Sequence, residues 1–327
     1  MSIVFDARWA GPHGIGRFAG QVRKRLVGPV ADVTGSHPVS ARGLVESELL
    51  PHRFGGRGYT YFSPGYTPCL SWGGPHAFTV HDLIHLDVPA EASAVKTGYY
   101  DQVVRRAIRR PGTVLTVSRF SQRRIADWAG VDPDRITVVG NGVDASFSPD
   151  GARKQGPWPY LLHVGNTKPH KNLPRVLQAL AGVPDIHLVC SSAPDTALIA
   201  LARQLGCDDR LHFLSSIPEK DLPAFYRGAT AVVIASLYEG FGLPALEGMA
   251  CGVPVVASTT TALAEVVQGA GVGIDPDDVT SIRDGIEKAI GDDEVRTLLI
   301  EAGPKRAAEF SWDRVGTAVV DALGSTA

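Results

Sequence analysis

The sequence predicts an α/β protein made of two Rossmann-like, doubly wound domains. Short apolar runs rich in β-branched residues alternate with longer helical or loop segments along the whole chain. Such runs are typical of strands that are buried on both faces of a parallel sheet. A length of 327 residues exceeds one typical domain and suits two domains, each with its own core.

In the first half of the chain, the predicted strands are separated by connections of irregular length. These strands are residues 3–5, 59–62, 77–80, 114–117 and 136–139. The segments between them predict helices that cover a parallel sheet. Residues 27–75 are rich in glycine and proline and lack clear helical periodicity, so we expect long loops there.

In the second half, predicted strands recur at intervals of 18 to 26 residues, which is typical of a doubly wound domain. They are residues 160–164, 186–190, 211–214, 231–235, 254–257 and 272–274. Residues 147–159 have the proline, glycine and polar composition of a linker. We therefore predict domains at 1–150 and 151–310, followed by a C-terminal helical segment at 311–327.

Composition argues against several classes of protein. Hydrophobic residues make up 44% of the chain and charged residues 20%, which is ordinary for a globular protein. The sequence contains no run of 18 or more apolar residues, which a membrane-spanning helix would need. The first residues lack a basic segment followed by a long apolar one, so we expect no secretory signal and a cytoplasmic protein. The four cysteines are widely scattered without C-x-x-C spacing, which disfavours a zinc site and a disulfide framework.

Charge is distributed unevenly between the halves. Residues 1–150 contain 17 lysines and arginines against 13 aspartates and glutamates, and residues 151–327 contain 15 against 21. A basic first half suits an anionic acceptor or a membrane surface, or it is simply well solvated. In residues 96–110 an apolar helical stripe lies opposite four arginines, so peripheral membrane contact is one hypothesis for this segment. The stripe consists of Tyr99, Tyr100, Val103, Val104, Ala107 and Ile108.

Residues 238–258, YEGFGLPALEGMACGVPVVAS, place two carboxylates around a glycine-rich turn that opens a helix. The turn follows the predicted strand 231–235, and Pro244 is predicted as the first helical residue. Glu239 and Glu247 can accept hydrogen bonds from sugar hydroxyls. The alternative is that both carboxylates only stabilise the helix N-terminus through its dipole.

The same turn has backbone features that suit an anion. Gly240 and Gly242 lack the Cβ atoms that would block a ligand. The amides of Phe241, Gly242 and Leu243 lie near the start of the helix, where N–H groups are available for an anion or for hydroxyls. The segment therefore predicts a site for a phosphorylated sugar.

A second loop, Gly165 to Asn172, follows the predicted strand 160–164 and carries Lys168 and Lys171 before a helix. A glycine turn with two lysines at this place is typical of a phosphate cradle, and the alternative is a pair of solvated lysines. In open α/β sheets ligands bind beyond the carboxyl ends of the strands, so both loops belong to the predicted binding edge.

These motifs resemble those of retaining glycosyltransferases of family four, glycosyl transferases group 1, and the resemblance covers almost the whole chain. The sequence E-G-F-G-L-P-A-L-E is similar to the E-x7-E element of that family. The resemblance implies a GT-B fold, with two Rossmann-like domains facing a cleft, and a nucleotide-sugar donor. It places Glu239 at the donor sugar and Glu247 at the ribose hydroxyls of the nucleotide.

The resemblance also assigns the lysine loop. The family pattern G-R-x(4–6)-K-G/N aligns Gly165 and Lys171 with donor phosphate contacts, where fixed positive charge stabilises the leaving diphosphate. Asn166 stands where many relatives carry arginine. Asn166 can still hydrogen-bond a phosphate, or Lys168 can supply the missing charge.

In the first domain, Val80-His81-Asp82 resembles the V-H-D element of the family, in which the histidine approaches the donor sugar. His81 is therefore a predicted site residue, and the alternative is a structural histidine at a strand end. Asp82 is expected to orient His81 or to cap the next helix.

The loop from Gly11 to Arg17 resembles the glycine-rich loop beside the donor diphosphate, which adds Gly14 and Gly16 to the predicted site. The same residues satisfy G-x-G-x-x-A, so an NAD(P)-dependent dehydrogenase is the rival enzyme. Against it, residues 6–13 separate the motif from its strand, and the two glutamates have no role.

The resemblance implies transfer of a hexose to an acceptor hydroxyl with retention of configuration. It is strongest to bacterial mannosyltransferases of polysaccharide or glycolipid assembly, through S-L-Y-E-G-F-G-L-P and V-G-x-x-x-P-x-K-N-L. GDP-mannose is the expected donor and UDP-sugars remain open. The acceptor is a sugar, a lipid-linked molecule or another small molecule. Because Asn166 replaces an arginine, an inactive nucleotide-sugar-binding partner subunit is a further alternative.

We expect no metal, no further cofactor and no nucleic-acid partner. The aspartate pairs at 132–134 and 275–278 resemble a D-x-D metal site, but proline and aspartate are ordinary turn residues. Lysines and helix N-termini can neutralise a diphosphate without a cation.

Overall fold

The computed structural model describes residues 2–55 and 58–324. Residues 325–327 of the predicted C-terminal segment lie outside the described residues. The chain forms two compact units, one with the residues up to Gly142 and those from Ser311 onward, and the other with Val143–Phe310. Each unit contains a parallel sheet surrounded by helices, which confirms the predicted α/β class.

The first unit is built on a parallel sheet whose short strands are mostly buried. The strands are β1 (Ser2–Asp6), β2 (Val30–Val33), β3 (Tyr59–Ser63), β4 (His76–Thr79), β5 (Thr113–Thr116) and β6 (Ile136–Val138). Their order is β2-β1-β3-β4-β5-β6, with every pair parallel. The helices between them are α1 (Gly14–Arg23), α2 (Ala41–Glu48), α3 (Leu50–Phe54), α4 (Ile84–Asp87), α5 (Ala94–Tyr99), α6 (Arg105–Arg109) and α7 (Arg119–Ala129).

Residues 27–75, where some long loops were expected, also contain β2, α2 and α3 as well as the predicted strand β3. Strand β2 is at the edge of the sheet and pairs with β1 alone, with Ile3 opposite Val30. Of its four residues only Val33 is buried. Since an edge strand buries little, its sequence shows little of the apolar pattern that predicts a strand.

The apolar stripe of residues 96–110 packs inside the first unit. Tyr100, Val104, Ala107 and Ile108 are at most 4% exposed, in a helical stretch that includes a π-turn between α5 and α6. These side chains are therefore part of the core and do not form an apolar surface for a membrane. No helix within residues 2–55 and 58–324 is long and apolar enough to cross a bilayer.

The second unit has the sheet that its regular strand spacing predicts. Its strands are β7 (Tyr160–His163), β8 (His187–Cys190), β9 (Leu211–Phe213), β10 (Ala231–Ile234), β11 (Val255–Ser258) and β12 (Val272–Ile274). They are parallel in the order β12-β11-β10-β7-β8-β9, so chain-distant β7 and β10 are neighbours at the centre. The carboxyl ends of these two strands therefore lead into adjacent loops.

Helices cover this second sheet and complete its core. They are α8 (Leu173–Ala181), α9 (Thr196–Gln204), α10 (Leu222–Gly228), α11 (Leu243–Ala250), α12 (Thr261–Val267), α13 (Val279–Gly291) and α14 (Asp293–Ala307). One apolar cluster joins strand residues such as Leu161 and Val233 to Leu177 of α8 and Ile286 of α13, all fully buried. Helix α11 packs against β10 and β11.

The last helix, α15 (Trp312–Gly324), packs on the first unit. It contacts α1 and β5, and Arg25 Nε donates to Asp313 Oδ1 at 2.8 Å. A Cβ atom at Gly316 would lie 2.6 Å from Arg25 Cδ, so a small residue is needed for this close approach.

Two glycines of α1 provide a matched test of the fold. A Cβ atom at Gly16 would lie 2.1 Å from the carbonyl oxygen of Gly11, whereas at Gly20 it would meet no atom within 4 Å. We expect Gly16→Ala to destabilise the protein by about 1–3 kcal/mol through overpacking. Gly20→Ala should stabilise it by up to about 1 kcal/mol through helix propensity. Thermal unfolding midpoints that move in the same direction for both variants would contradict this local packing.

Candidate active site

The centre of the candidate site is an ion pair between Lys171 and Glu239 in the second unit. Lys171 ends a short turn after β7, and Glu239 lies in the loop after neighbouring β10. The Lys171 Nζ atom donates to Glu239 Oε1 at 2.7 Å, and both side chains are 13% exposed. One sequence motif predicted Lys171 as a phosphate contact, and another predicted Glu239 as a sugar contact. The structure brings these two residues together.

Glu239 is ionised in this environment. Burial alone would raise the pKa of its carboxyl group, but the Lys171 charge and hydrogen bonds from Lys171 and Ser236 outweigh it and lower the pKa below its ordinary value. Ser236 Oγ donates to the same Oε1 atom at 2.8 Å. Ser236 was not among the predicted site residues, although it lies three residues before Glu239 in the same loop.

Gly165 leaves room beside the ion pair. Its φ is +144°, and a Cβ atom there would contact Lys171 Cε at 3.6 Å and His163 Nε2 at 3.7 Å. Its amide donates to Ser191 Oγ at 3.1 Å. A side chain at this position would be strained and would crowd the Lys171 ammonium group.

His163 of β7 lies beneath the lysine loop and was not predicted as a site residue. Burial, reinforced by the nearby Lys171 charge, lowers its pKa to about 4. Its ring nitrogens lie 3.4 Å from the carbonyl oxygens of Val233 and Asn166. The imidazole is therefore neutral near pH 7 and adds no positive charge to the loop.

Asn166 and Lys168 lie on the exposed side of this loop. The Asn166 Oδ1 atom accepts a hydrogen bond from the Lys168 amide at 3.1 Å, which forms an Asx-type turn. At the position where many relatives carry arginine, the Asn166 side chain therefore stabilises the turn of this loop.

The turn before α11 requires the glycine that the sequence places there. Gly242 caps the helix with a φ of +104°, and a Cβ atom would lie 2.4 Å from Leu263 Cδ2. Leu243 begins α11, and Pro244 occupies its second position. Phe241 is 7% exposed and its ring packs on Phe310 at 5.8 Å, so this side chain supports the loop from inside the unit.

Glu247 lies in α11 and is 2% exposed. The Tyr226 hydroxyl donates to Glu247 Oε2 at 2.7 Å, and that hydroxyl is also buried. Tyr226 fixes the Glu247 carboxylate within the second unit, and the ribose contact expected for Glu247 stays a prediction.

His81 follows β4 in the first unit and is 7% exposed. Its Nε2 atom donates to the Pro64 carbonyl oxygen at 2.8 Å, and its ring packs edge-on against Phe18 at 5.0 Å. Burial lowers the pKa of His81 to about 4. The imidazole is therefore neutral near pH 7. The backbone carbonyl oxygen of His81 accepts a hydrogen bond from Ser121 Oγ at 2.9 Å.

Asp82 lies beside the start of the helix that follows it, whose N-cap position is Leu83. Its Oδ1 atom accepts from the Ile84 amide at 3.1 Å and from the Tyr66 hydroxyl at 3.1 Å. The neighbouring Tyr66 ring also lies 5.9 Å from the ring of His81.

The glycine-rich loop of the first unit is closely packed on itself. Helix α1 begins at Gly14, and His13 Nδ1 accepts from the Gly16 amide at 3.0 Å. A short helical turn, Ala7–Trp9, separates β1 from this loop. A dinucleotide-binding motif opens directly after its strand, so this geometry disfavours the dehydrogenase alternative.

Within the part of the chain that the structure describes, no cluster of three or more histidine, cysteine or acidic residues could hold a metal ion. The aspartates that resemble a metal motif form turns: Asp132 Oδ1 accepts from the Asp134 amide at 2.9 Å, and Asp275 Oδ1 from the Asp277 amide at 2.9 Å.

Comparison with known proteins agrees with these motifs. Residues 147–306 match the family model for glycosyl transferases group 1, and residues 56–147 match the model for glycosyltransferase family 4. O-antigen chain mannosyltransferase B of Escherichia coli is 31% identical over 261 residues, which are 75% of this chain and 68% of that protein. The chain belongs to the glycosyl transferases group 1.

This group 1 glycosyltransferase also resembles proteins that are named for other activities. D-inositol 3-phosphate glycosyltransferase of Salinispora tropica is 29% identical over 286 residues, 77% of this chain and 59% of the relative. The crystal structure of Anabaena Alr3699/HepE in complex with UDP and glucose matches with a TM-score of 0.79 at 19% identity. That match covers 99% of this chain and 100% of the other, and it supports the predicted GT-B fold.

Breaking the ion pair on one side should cost stability. We expect Lys171→Met to destabilise the glycosyltransferase at pH 7 by on the order of 3 kcal/mol, because Glu239 is left as an uncompensated, largely buried charge. The double variant Lys171→Met/Glu239→Gln should recover most of that loss. Arg296→Met, which removes an exposed pair with Asp293, is the control and should cost at most about 0.5 kcal/mol.

The same variants have a defined pH dependence. Because the folded-state pKa of Glu239 lies below 4.5, its stabilising contribution is present above pH 4.5 and is lost as the pH falls through the folded value. Thermal midpoints measured from pH 7 down to pH 3 should therefore fall more steeply for the wild type than for the double variant. Parallel curves would contradict the ion pair.

Proposed function

We propose that this protein transfers a hexose from a nucleotide sugar to an acceptor hydroxyl with retention of anomeric configuration and without a metal ion. The observation that carries the proposal is the Lys171–Glu239 pair, held at 2.7 Å at the carboxyl ends of two neighbouring parallel strands. This edge is where open α/β sheets bind ligands. Membership of the glycosyl transferases group 1 favours sugar transfer over the dehydrogenase alternative.

In this proposal the ammonium and the carboxylate act on different parts of the donor. The Lys171 ammonium stabilises the charge that develops on the diphosphate as the glycosidic bond breaks. The ionised Glu239 accepts hydrogen bonds from hydroxyls of the sugar. The donor phosphate itself takes the acceptor proton on the same face of the sugar, which retains the configuration.

Other predicted residues are given supporting roles in this proposal. Gly165 keeps the space beside Lys171 open, and Ser236 holds the shared Oε1 atom of Glu239. His81, neutral near pH 7, supplies a hydrogen-bonding group to the sugar and not a proton to the leaving group. Glu247 is assigned to the ribose, and the amides at Phe241, Gly242 and Leu243 to the phosphates.

We propose GDP-mannose as the donor and glycolipid or polysaccharide assembly as the process. The support is the likeness to O-antigen chain mannosyltransferase B. A UDP-sugar is the second candidate, because the structurally similar Anabaena Alr3699/HepE is found with UDP and glucose. The basic balance of residues 1–150 suits an anionic acceptor, including a lipid-linked one at a membrane surface.

Glu239→Ala tests whether the protein is an enzyme or an inactive binding subunit. We expect it to lower the rate of sugar transfer by about 100-fold or more, because an interaction with the reacting sugar is lost. Glu287→Ala, at an exposed position of α13, is the matched control and should leave the rate unchanged. Wild-type protein that neither transfers nor hydrolyses any donor would overturn the proposed activity.

A panel of nucleotide sugars tests which nucleotide base the protein recognises and whether binding needs a metal ion. At a concentration near 100 times its Kd, the true donor should stabilise the fold by about 2.7 kcal/mol, whereas unrelated nucleotide sugars should not. We expect the largest thermal shift with GDP-mannose, and the same shift in the presence of EDTA. A larger shift with UDP-sugars would replace the donor assignment, and a shift abolished by EDTA would contradict metal independence.

A further inference from the structure

Asn172 lies directly after Lys171 and joins the loops of the candidate active site. It separates the short turn Pro169–Lys171 from α8, has a φ of +60° and is 3% exposed. Side chains other than those of asparagine and aspartate rarely adopt this left-handed conformation. A buried polar residue in such a conformation needs hydrogen-bond partners that hold it there.

The Asn172 amide group has partners in two other loops. Its Nδ2 atom donates to the Ala235 carbonyl oxygen at 2.9 Å and to the Pro276 carbonyl oxygen at 2.7 Å. These residues follow β10 and β12, so one side chain connects the loops after β7, β10 and β12. Its Oδ1 atom accepts from Arg175 Nη1 at 3.0 Å, which fixes the orientation of the amide.

A backbone hydrogen bond completes the connection on the other side of Lys171. The Leu237 amide donates to the His170 carbonyl oxygen at 2.8 Å. Both chain neighbours of Lys171 are therefore bonded to the loop that leads into Glu239. The separation of the ammonium and carboxylate groups depends on these two attachments as well as on their own contact.

We propose that Asn172 is a positioning residue, which holds the lysine loop in register with the Glu239 loop so that Lys171 meets the diphosphate of a nucleotide. The inference rests on the proposed function and adds a residue that acts through Lys171 without touching the donor. A misplacement of about 1 Å in such a group is enough to reduce binding or catalysis strongly.

Two substitutions separate the side-chain bonds from the backbone conformation. Asn172→Gly keeps access to the left-handed φ and removes every side-chain bond. Asn172→Asp keeps the size and the acceptor for Arg175, but it places carboxylate oxygen opposite the carbonyl oxygens of Ala235 and Pro276. Asp185→Gly is the control, since Asp185 has the same φ of +60° but is exposed. It precedes β8 and so lies at the amino ends of the strands, away from the candidate site.

The experiment measures the Kd of GDP and of UDP by titration calorimetry for the full chain, together with the thermal midpoint. For the nucleotide that the wild type binds, we expect both Asn172 variants to bind about 10-fold or more weakly. Asp185→Gly should bind as the wild type does. Unchanged affinity in a folded Asn172 variant would overturn the inference.

A purely structural role is distinguished by repeating the titration in a Lys171→Met background. If Asn172 acts through Lys171, Asn172→Gly should weaken binding by less than about 2-fold in that background, because the coupled partner is already gone. An equal loss in both backgrounds would overturn the inference alone. Wild-type protein that binds neither GDP nor UDP would overturn the proposed function and this inference with it.

Discussion

The site depends on a single electrostatic contact, the ion pair of Lys171 and Glu239. Neither charge is stable in this largely buried position without the other, because an isolated charge here would lose its hydration without gaining an equally favourable interaction with the protein. The pair is possible only because β7 and β10, distant in sequence, are neighbours at the centre of the sheet. The ion pair therefore requires the doubly wound topology, because this topology brings the carboxyl ends of the two strands together.

Around this contact the molecule uses neutral and backbone groups. His163 beneath the loop is uncharged near pH 7, because burial lowers its pKa to about 4. Ser236 shares the carboxylate, and Asn172 fixes the loops through backbone carbonyl oxygens. The pair is thus held by neutral side chains and by backbone carbonyl oxygens, and the buried imidazole beneath it adds no charge.

The sequence predicted those parts of the molecule that have a strong local pattern. The central strands of the second unit, β7, β8, β10 and β11, are mostly buried, so their apolar runs were visible, and the glycine-rich turns predicted the loops of the candidate site. Edge strand β2 was missed because it buries only Val33. The partners of Asn172 were also out of reach, since Ala235 and Pro276 contribute carbonyl oxygens that every residue has.

Other patterns had two physical explanations that the sequence left open. The stripe of residues 99–108 has the periodicity of a membrane-surface helix and equally that of a helix packed on a core, and the structure shows the core. Asp82 suited an orienting or a capping role, and its carboxylate accepts a hydrogen bond from the first amide of the helix that follows. Period and residue type alone do not identify the surface against which a side chain packs.

The return of α15 to the first unit has a consequence for biosynthesis. The second unit is one uninterrupted stretch, Val143–Phe310, whereas the first consists of residues that precede this stretch and residues that follow it. As the nascent chain leaves the ribosome, the later-made unit has all of its residues before the earlier-made one does. Until α15 emerges, the surface of α1 around Arg25 lacks its covering helix, so the N-terminal unit is the last to become complete.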